Sequence, residues 1–323
     1  MPTESPPSPI TVAVIDVGTN TALLLLAEVT LQGSITPIVY EQRIPRLGRG
    51  VDASRRLHPA SMERVIQVLE EYRDIVTRYA PRSTVVIGTS AVRDAENKLE
   101  FAEMVLYRTG FILEVLAGEE EAYWTYRGAI SGLTNIEHAT VVDIGGGSTE
   151  ITSGTRDAVN GSISMNIGSV RLTERLLRHD PPTGQELDAL RSAIRESLGS
   201  AQPKPDPNSR FVGVAGTATT LALLSQGRRE FSLEAVSGAV LTLAQVSFLA
   251  DELGRMTVSD ILRRGSYLSG RADVITAGAW ILKEVMLAFG FRDVVVSERG
   301  VRYGIALREA ERGRSNCHLS TDN

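Results

Sequence analysis

Cysteine and histidine are both scarce in this sequence. The only cysteine, Cys317, lies in a polar C-terminal stretch beside His318, and there are four histidines in all. A single cysteine excludes an intrachain disulfide framework and is typical of a reducing compartment, so we expect a cytoplasmic protein. We interpret the Cys-His pair as part of a tail, and no histidine pairs with a second ligand at metal spacing.

Long hydrophobic runs are also absent. No segment approaches the roughly 18 consecutive apolar residues of a membrane-spanning helix, so we expect no membrane partner. The N-terminal MPTESPPSPI has neither a basic start nor an apolar run. It is therefore interpreted as a Pro/Ser tail rather than a signal peptide.

The chain has no excess of positive charge. Its net charge of −5 at pH 7 argues against non-specific binding of nucleic acid, which needs a basic surface. The only lysines are Lys98, Lys204 and Lys283, so nearly every basic residue is an arginine. Arginine suits phosphate recognition because its guanidinium is a planar fork. The bias can equally follow genome composition, which is the explanation that we favour.

What the sequence does contain is an alternation of strand and helix patterns. Ile10–Ile15 and Thr84–Ile87 are β-branched runs that end at glycine-containing turns, and Met62–Tyr79 has apolar residues at helical spacing. This alternation predicts an α/β fold with helices over a mixed sheet. At 323 residues the chain exceeds the usual size of one domain, so we expect two.

The opening strand and turn occur twice. Val12–Thr21 reads VAVIDVGTNT and Thr140–Glu150 reads TVVDIGGGSTE, and each is followed by a second apolar segment. We interpret the repeat as two related domains. The predicted division is a disordered tail over 1–9, domains over 10–132 and 133–312, and a disordered tail over 313–323, with the last helix able to pack back on the first domain.

The second copy, DIGGGSTE, has the composition of a metal–phosphate site. Gly145, Gly146 and Gly147 let the backbone bend tightly and present unblocked N–H groups, which form an anion-binding nest, and the Ser148 hydroxyl adds a donor. The carboxylates of Asp143 and Glu150 at either end cannot bind phosphate directly. They can hold Mg²⁺, which is bound by one or two carboxylates plus phosphate oxygens and water.

The first copy supplies a matching set of residues, namely Asp16, Gly18, Thr19 and Asn20. Two facing copies would clamp phosphates between the domains. A third strand-to-glycine turn, FVGVAGT at Phe211–Thr217, offers another amide cradle through Gly216 and Thr217. For this third turn, packing and binding are equally good explanations.

Together, these motifs resemble one known family. DVGTNT, GTSAVRDAEN, GEEEA, DIGGGSTE and GVAGTATT occur in the order found in the exopolyphosphatase/guanosine pentaphosphate phosphohydrolase (Ppx/GppA) family. The resemblance extends from about Val12 to about Ala310. It implies two RNase H-like domains of the actin-like/sugar kinase/chaperone ATPase superfamily with a cleft between them. The chain resembles the short members, which lack the helical C-terminal domains of longer members, and a long, processive polyphosphate channel is therefore not implied.

The resemblance also implies roles for single residues. The family's general base is the Glu before the Ala of GEEEA, here Glu121; unaided, the acidic start of this helix is explained by the helix dipole. Arg93 is implied to contact substrate phosphate, and Asp143 and Glu150 to hold the divalent metal, Mg²⁺ or another such as Mn²⁺. A homodimer is compatible with the resemblance, although no sequence feature demands one.

The implied activity is hydrolysis of a terminal phosphoanhydride bond. The leading hypothesis is an exopolyphosphatase that acts on inorganic polyphosphate, with a preference for short chains left open. The alternative is removal of the terminal phosphate of guanosine pentaphosphate (pppGpp) at the same site. Two further alternatives are an actin-like kinase, which a sugar-dependent ATP consumption assay would reveal, and a non-catalytic sensor of pppGpp or polyphosphate. The role of three further features is not decided by the sequence. The loop arginines Arg43, Arg46 and Arg49 either line a groove for a polyanion or are simply solvated. Glu298 is interpreted as mainly structural, and Asp273 is assigned to helix capping and interdomain packing.

Overall fold

The computed structural model describes residues 9–134 and 136–318. Its strands are β1 Ile10–Val17, β2 Ala22–Val29, β3 Ile35–Arg43, β4 Ser83–Gly88, β5 Leu113–Val115, β6 Ala139–Ile144, β7 Thr149–Gly154, β8 Val159–Met165, β9 Arg210–Val214, β10 Val240–Thr242 and β11 Asp293–Val296. Its helices are α1 Val51–Ser54, α2 Pro59–Tyr79, α3 Ser90–Asp94, α4 Lys98–Thr109, α5 Gly118–Ile130, α6 Ser169–Leu176, α7 Gly184–Gly199, α8 Ala215–Ser225, α9 Leu233–Val236, α10 Leu243–Leu253, α11 Val258–Leu262, α12 Ile275–Phe289 and α13 Val301–His318.

The strands form two sheets with the same internal order. The first has the order β3-β2-β1-β4-β5, and the second has β8-β7-β6-β9-β11 with β10 added at its edge. In each sheet the first strand pairs antiparallel with the second and parallel with the fourth: β1 with β2 and β4, and β6 with β7 and β9. The predicted repeat and the α/β fold class with two RNase H-like sheets are confirmed.

Both repeated turns are tight hairpin ends. In the first, Gly18 N donates to Thr21 O at 2.9 Å, and in the second, Gly145 N donates to Ser148 O at 3.0 Å. Each turn follows the C-terminal end of a central strand, β1 or β6. Ligands of open α/β sheets bind outside the carboxyl ends of the strands, so this edge is where a site is expected.

Each sheet is covered by its own helices. In the first core, Val65, Leu69 and Tyr72 of α2 and Phe101 of α4 pack against the sheet. The second core lies between the other sheet and helices α7, α8, α10 and α12. Burial of these apolar faces stabilises each layer at about 25 cal/mol per Å² of apolar surface removed from water.

Helix α13 covers the other face of the first sheet. Its Tyr303, Ile305 and Leu307 are buried together with Val12 and Val14 of β1. The helix also crosses α5 very closely, because both helices carry a glycine at the crossing, Gly128 and Gly304. The C-terminal helix thus joins the two halves of the chain, while the domain boundary near residue 132 stays a prediction.

Three local features differ from the sequence interpretation. Strand β3 was not recognised, because only Ile35 in it is fully buried and it contains Pro37, so its hydrophobic alternation is weak. Helix α8 starts directly at Ala215, so Gly216 and Thr217 lie in a helical first turn rather than in a glycine bend. Helix α13 continues to His318, so the tail predicted over 313–323 begins with helical residues. Residues 319–323, like 1–8, lie outside the described residues.

The α5–α13 crossing provides a stability test. A Cβ built on Gly304 lies 1.9 Å from the carbonyl oxygen of Trp124, a backbone atom that cannot rotate away. We expect Gly304→Ala to lower the free energy of unfolding by about 1–3 kcal/mol, the usual cost of overpacking. Gly199→Ala is the matched control, because a Cβ there meets nothing within 4 Å. Urea unfolding measures both, and equal stabilities for the two variants would show that the crossing is loosely packed.

Candidate active site

A cavity of about 150 Å³ lies between the two sheets, at the edge that carries both hairpin turns. Its walls include Asp16, Gly18, Thr19 and Asn20 from the first half and Gly145 to Ser148 from the second. The turns approach each other closely, because a Cβ on Gly146 lies 2.9 Å from Thr19 and a Cβ on Gly147 lies 2.5 Å from Ser90 Oγ. Only glycine fits at these two positions without displacing the opposite wall.

Asp143 and Glu150 lie on one face of the second sheet. They are direct cross-strand partners in the antiparallel pairing of β6 and β7. Opposed residues of such a pair have Cβ atoms roughly 4.5–5.5 Å apart, so both carboxylates enter the cavity side by side. Ser164, the partner of Glu150 on β8, donates a hydrogen bond to Glu150 Oε1 at 2.9 Å.

Glu121 lies across the cavity at the start of α5. Its side chain is only 11% exposed, and Arg93 Nη1 donates to its Oε2 at 2.6 Å. The same Nη1 donates to Leu116 O at 3.2 Å. Arg93 is thus engaged with Glu121 and does not form part of the cavity wall, so the direct phosphate contact expected of it stays a prediction.

Asp16 and Arg302 form a second buried charged group in the cavity. Arg302, on α13, stacks on Tyr40 and donates from Nη2 to Tyr40 Oη at 3.1 Å. Within the described part of the chain, Asp16 Oδ1 and Arg302 Nη1 are buried atoms without a hydrogen-bond partner. Both residues line the cavity.

The third wall comes from the first turn of α8. No side chain caps this helix within the described residues, and Ala215 at its start has φ +63°. Such a left-handed conformation costs of order 1–3 kcal/mol in a residue other than glycine and is concentrated at functional sites. Gly216 and Thr217 line the cavity, and the N-terminus of a helix favours an anion. Thr217 is also packed in the interior, since its Oγ1 donates to Ile144 O at 3.4 Å, so binding and packing both stay open for these two residues.

Four of the carboxylates that line the cavity, those of Asp16, Glu121, Asp143 and Glu150, repel one another. Burial raises the pKa of Asp16 to about 7, although the positive charge of Arg302 lowers it. The negative charge of Glu121 raises it further. Burial, followed by repulsion from Glu121 and Asp16, raises the pKa of Asp143 to about 7. Burial and the charges of Glu121 and Asp143 raise the pKa of Glu150 to about 8. Burial also raises the pKa of Glu121, although Arg93 opposes it.

The structure brings nearly all of the predicted site residues together. Those that line the cavity are Asp16, Gly18, Thr19, Asn20, Glu121, Asp143, Gly145, Gly146, Gly147, Ser148, Glu150, Gly216 and Thr217. Asn20 is partly engaged elsewhere, since its Nδ2 donates to Gly270 O at 3.2 Å. The roles assigned to these residues stay predictions.

Sequence reasoning missed Tyr40, Phe231, Arg271 and Arg302, and it interpreted Glu298 as mainly structural. All of these line the cavity. They come from segments far from the glycine motifs, and no local pattern marks them. Of the loop arginines, Arg43 pairs with Glu41 and Glu71, and Arg46 forms a bidentate pair with Asp273 at 2.7 and 2.8 Å.

The donor set fits a divalent cation of the magnesium type. Several buried carboxylates face one cavity with raised pKa values, and Asp16 Oδ1 has no partner among the described residues. In the described ranges, no three His, Cys, Asp or Glu side chains form a ready-made cage for a metal. Mg²⁺ does not require one, because it keeps waters and takes oxygens from its phosphate ligand.

The raised pKa values predict how the stability of the metal-free protein depends on pH. Asp16, Asp143 and Glu150 remain protonated in the folded state at pH values where the unfolded chain has released these protons. Their contribution to stability is fully present below about pH 4 and is lost as the pH rises to about 8. We expect the free energy of unfolding in EDTA to fall between about pH 5 and about pH 8, measured by urea titration. A free energy of unfolding that rises over this pH interval would contradict the raised pKa values.

The chain is similar to known proteins over nearly its whole length. The model of the Ppx/GppA phosphatase family matches residues 26–312. The chain is 37% identical over 311 residues to Exopolyphosphatase 2 of Mycobacterium tuberculosis, a match that covers 92% of this chain and 97% of that protein.

Solved structures agree with the sequence matches. The crystal structure of the Aquifex aeolicus member of the Ppx/GppA family is 31% identical and superposes with a TM-score of 0.80, covering 94% of this chain and 99% of that one. An exopolyphosphatase-like protein is 33% identical with a TM-score of 0.88, covering 95% and 99% of the two chains. The family match, the similarity to these proteins over nearly their full length and the shared fold lead to one conclusion: the chain belongs to the Ppx/GppA phosphatase family.

Proposed function

We propose that this protein is an exopolyphosphatase that hydrolyses the terminal phosphoanhydride bond of inorganic polyphosphate and releases orthophosphate. The observation that carries the proposal is the position of Glu121, a buried carboxylate held by Arg93 at the wall of a cavity that both glycine turns also line. This cavity has a volume of about 150 Å³, whereas ligand pockets usually measure roughly 300–1,000 Å³. Its small size suits the end of a short polyphosphate chain.

The proposed chemistry is general-base catalysis with electrostatic stabilisation. Glu121 accepts a proton from the attacking water, and its raised pKa brings it closer to the operating pH, as a general base requires. The backbone N–H groups of the two turns and of α8 stabilise the charge on the transferred phosphoryl oxygens. Asp143 and Glu150, with Asp16 beside them, would hold a divalent cation, Mg²⁺ or Mn²⁺, which when bound neutralises phosphate charge.

One experiment tests this function directly. Phosphate release is measured side by side on tripolyphosphate, long-chain polyphosphate, pppGpp and ATP, each with Mg²⁺ and with EDTA. We expect Mg²⁺-dependent release that is fastest on tripolyphosphate or long-chain polyphosphate and slow on ATP. Equal rates with and without EDTA, or release from ATP alone, would contradict the proposal.

A second candidate, pppGpp phosphohydrolase, is favoured by one observation. The rings of Tyr40 and Phe231, from opposite halves, both line the cavity, with centroids 6.4 Å apart and planes within 13° of parallel. Phe231 is 42% exposed. A bare polyphosphate offers no planar group to such a pair, whereas a nucleobase stacks on aromatic side chains.

A substitution distinguishes the two substrates. We expect Phe231→Ala to raise KM for pppGpp about 5- to 150-fold, the loss of one base-stacking contact of about 1–3 kcal/mol. The KM for tripolyphosphate stays unchanged. Phe248→Ala, an exposed phenylalanine of α10 that does not line the cavity, is the control. Equal effects of Phe231→Ala on both substrates would remove the argument for a base subsite.

A cytoplasmic location and a homodimer are proposed alongside this function. The first rests on the single cysteine, and the second on the resemblance alone. Among the described residues, no helix combines the length and the apolar character needed to cross a membrane.

A further inference from the structure

Arg171 connects three elements across the junction of the two halves. It lies on α6 of the second half and is only 8% exposed. Its Nε donates to the carbonyl oxygen of Gly147 at 2.6 Å, and its Nη2 donates to Asp94 Oδ2 at 2.9 Å. Its Nη1 bonds Asp52. One guanidinium therefore holds the second glycine turn, helix α3 and helix α1 at the same time.

The elements that Arg171 joins carry opposite sides of the proposed reaction. Gly147 belongs to the turn assigned to phosphate, and Asp94 directly follows Arg93, whose guanidinium holds Glu121. A shift of α3 relative to the glycine turn would change the distance between the base and the phosphoryl group. The Arg171 contacts to Gly147 and Asp94 oppose such a shift.

The chemistry of the contact requires arginine. A buried charge is costly unless it is fully paired, and here the three acceptors lie in three directions around one planar group. The lysine ammonium is a compact point charge on a flexible stem and lacks this fork geometry. Burial alone raises the pKa of Asp52, but the hydrogen bond from Arg175 and the charge of Arg171 bring it below the usual value. The network is thus charged at neutral pH.

Other polar contacts reinforce the same side of the molecule. The Glu174 carboxylate accepts from Gly50 N at 3.1 and 3.2 Å, and Arg46 pairs with Asp273 across the cleft. The α5–α13 crossing is a close glycine contact at its centre, and the ion pairs Arg127–Glu311 and Arg308–Glu120 join the same two helices. If the two halves opened as rigid bodies about the α5–α13 crossing, the polar contacts of Arg171, Glu174 and Arg46 would break.

We propose that Arg171 is the latch of the cleft. It is a positioning residue that keeps the two halves closed and sets the separation between the Gly147 turn and Glu121. The kinetic part of this inference rests on the proposed function, whereas the part that concerns cleft closure does not.

The kinetic test compares two arginines of one helix. We expect Arg171→Met to lower kcat on tripolyphosphate about 10²-fold, since a misplacement of about 1 Å costs that much, with KM changed less than about 3-fold. Arg171→Lys should recover part of the loss. Arg175→Met is the matched control: Arg175 pairs with Asp52 as well, but its side chain is 51% exposed, and such pairs contribute little. If Arg171→Met keeps the wild-type kcat, or if Arg175→Met lowers kcat to the same extent, the positioning role proposed for Arg171 is wrong.

A distance measurement tests closure without activity. Spin labels at Glu103→Cys on α4 and Glu196→Cys on α7, both exposed positions, report the separation of the halves in a Cys317→Ser background. We expect a narrow distribution in the otherwise unchanged protein and in Arg175→Met, and a longer or broader one in Arg171→Met. Asp94→Asn, which removes the charge of one ion-pair partner, should shift the distribution in the same direction and replaces Arg171→Met if that variant does not fold.

The kinetic and the spin-label experiments together distinguish a failure of this inference from a failure of the proposed function. If the distance distribution is unchanged in both Arg171→Met and Asp94→Asn, Arg171 does not hold the cleft closed, whatever the kinetic results are. If the wild-type protein releases no phosphate from any substrate of the panel, the proposed function fails, and the spin-label distances alone decide whether Arg171 closes the cleft.

Discussion

Glu121→Gln is expected to lower phosphate release from tripolyphosphate by about 10²–10⁴-fold, the usual contribution of a positioned general base. Glutamine keeps the size of the side chain and can still accept a hydrogen bond from Arg93, but it cannot take a proton from water. Because the glycine turns and the other three carboxylates are unchanged, ligand binding should persist. Phosphate release gives kcat, and calorimetric titration with a non-hydrolysable triphosphate gives Kd.

The control for this variant lies in the same helical turn. Glu119 is exposed at the start of α5, so Glu119→Gln should behave like the wild type. Near-normal turnover by Glu121→Gln would show that another group activates the water. Loss of turnover in Glu119→Gln to the same extent would show that the general acidity of the helix start, rather than one carboxylate, matters.

Asp143→Asn should abolish most of the activity and yet stabilise the metal-free protein. A cation that stabilises transition-state charge contributes several kcal/mol, so we expect kcat/KM to fall by about 10²-fold or more and the half-saturating Mg²⁺ concentration to rise. Without metal, burial and repulsion from Glu121 and Asp16 disfavour the charged Asp143 carboxylate. A neutral amide relieves that repulsion, so the melting temperature in EDTA at about pH 8 should increase.

The opposite signs of the two effects make this prediction specific. Asp157→Asn, in the exposed turn between β7 and β8, is the control and should leave both activity and melting temperature unchanged. A variant that loses both activity and stability would indicate that Asp143 has a structural role. One that keeps its Mg²⁺ dependence would show that the cation is held elsewhere.

The parts of the site that follow from the sequence are the local ones. DVGTNT and DIGGGSTE each form a strand end and a hairpin turn within a few residues, so their geometry depends on glycine and strand pattern and not on the rest of the fold. The cross-strand pairing of Asp143 with Glu150 follows from the short turn between β6 and β7. Glu121 was different, since three acidic residues start α5 and only the family resemblance selected the third.

The parts that could not be predicted depend on tertiary packing. Arg302 reaches the cavity because α13 returns to the first sheet, and Arg171 becomes buried only when α6 docks on α1 and α3. In the sequence, both are ordinary arginines on helical segments. Strand β3 was missed for a related reason, because an edge strand needs little hydrophobic alternation.

The most direct measurement is a crystal structure with Mn²⁺ and a non-hydrolysable imidotriphosphate. We predict an anomalous peak beside Asp143 and Glu150, a terminal phosphate within hydrogen-bond distance of the Gly145–Ser148 amides, and the Glu121 carboxylate facing that phosphorus through one water. A metal peak away from Asp143 and Glu150, or a triphosphate bound outside the interdomain cavity, would contradict the proposed site.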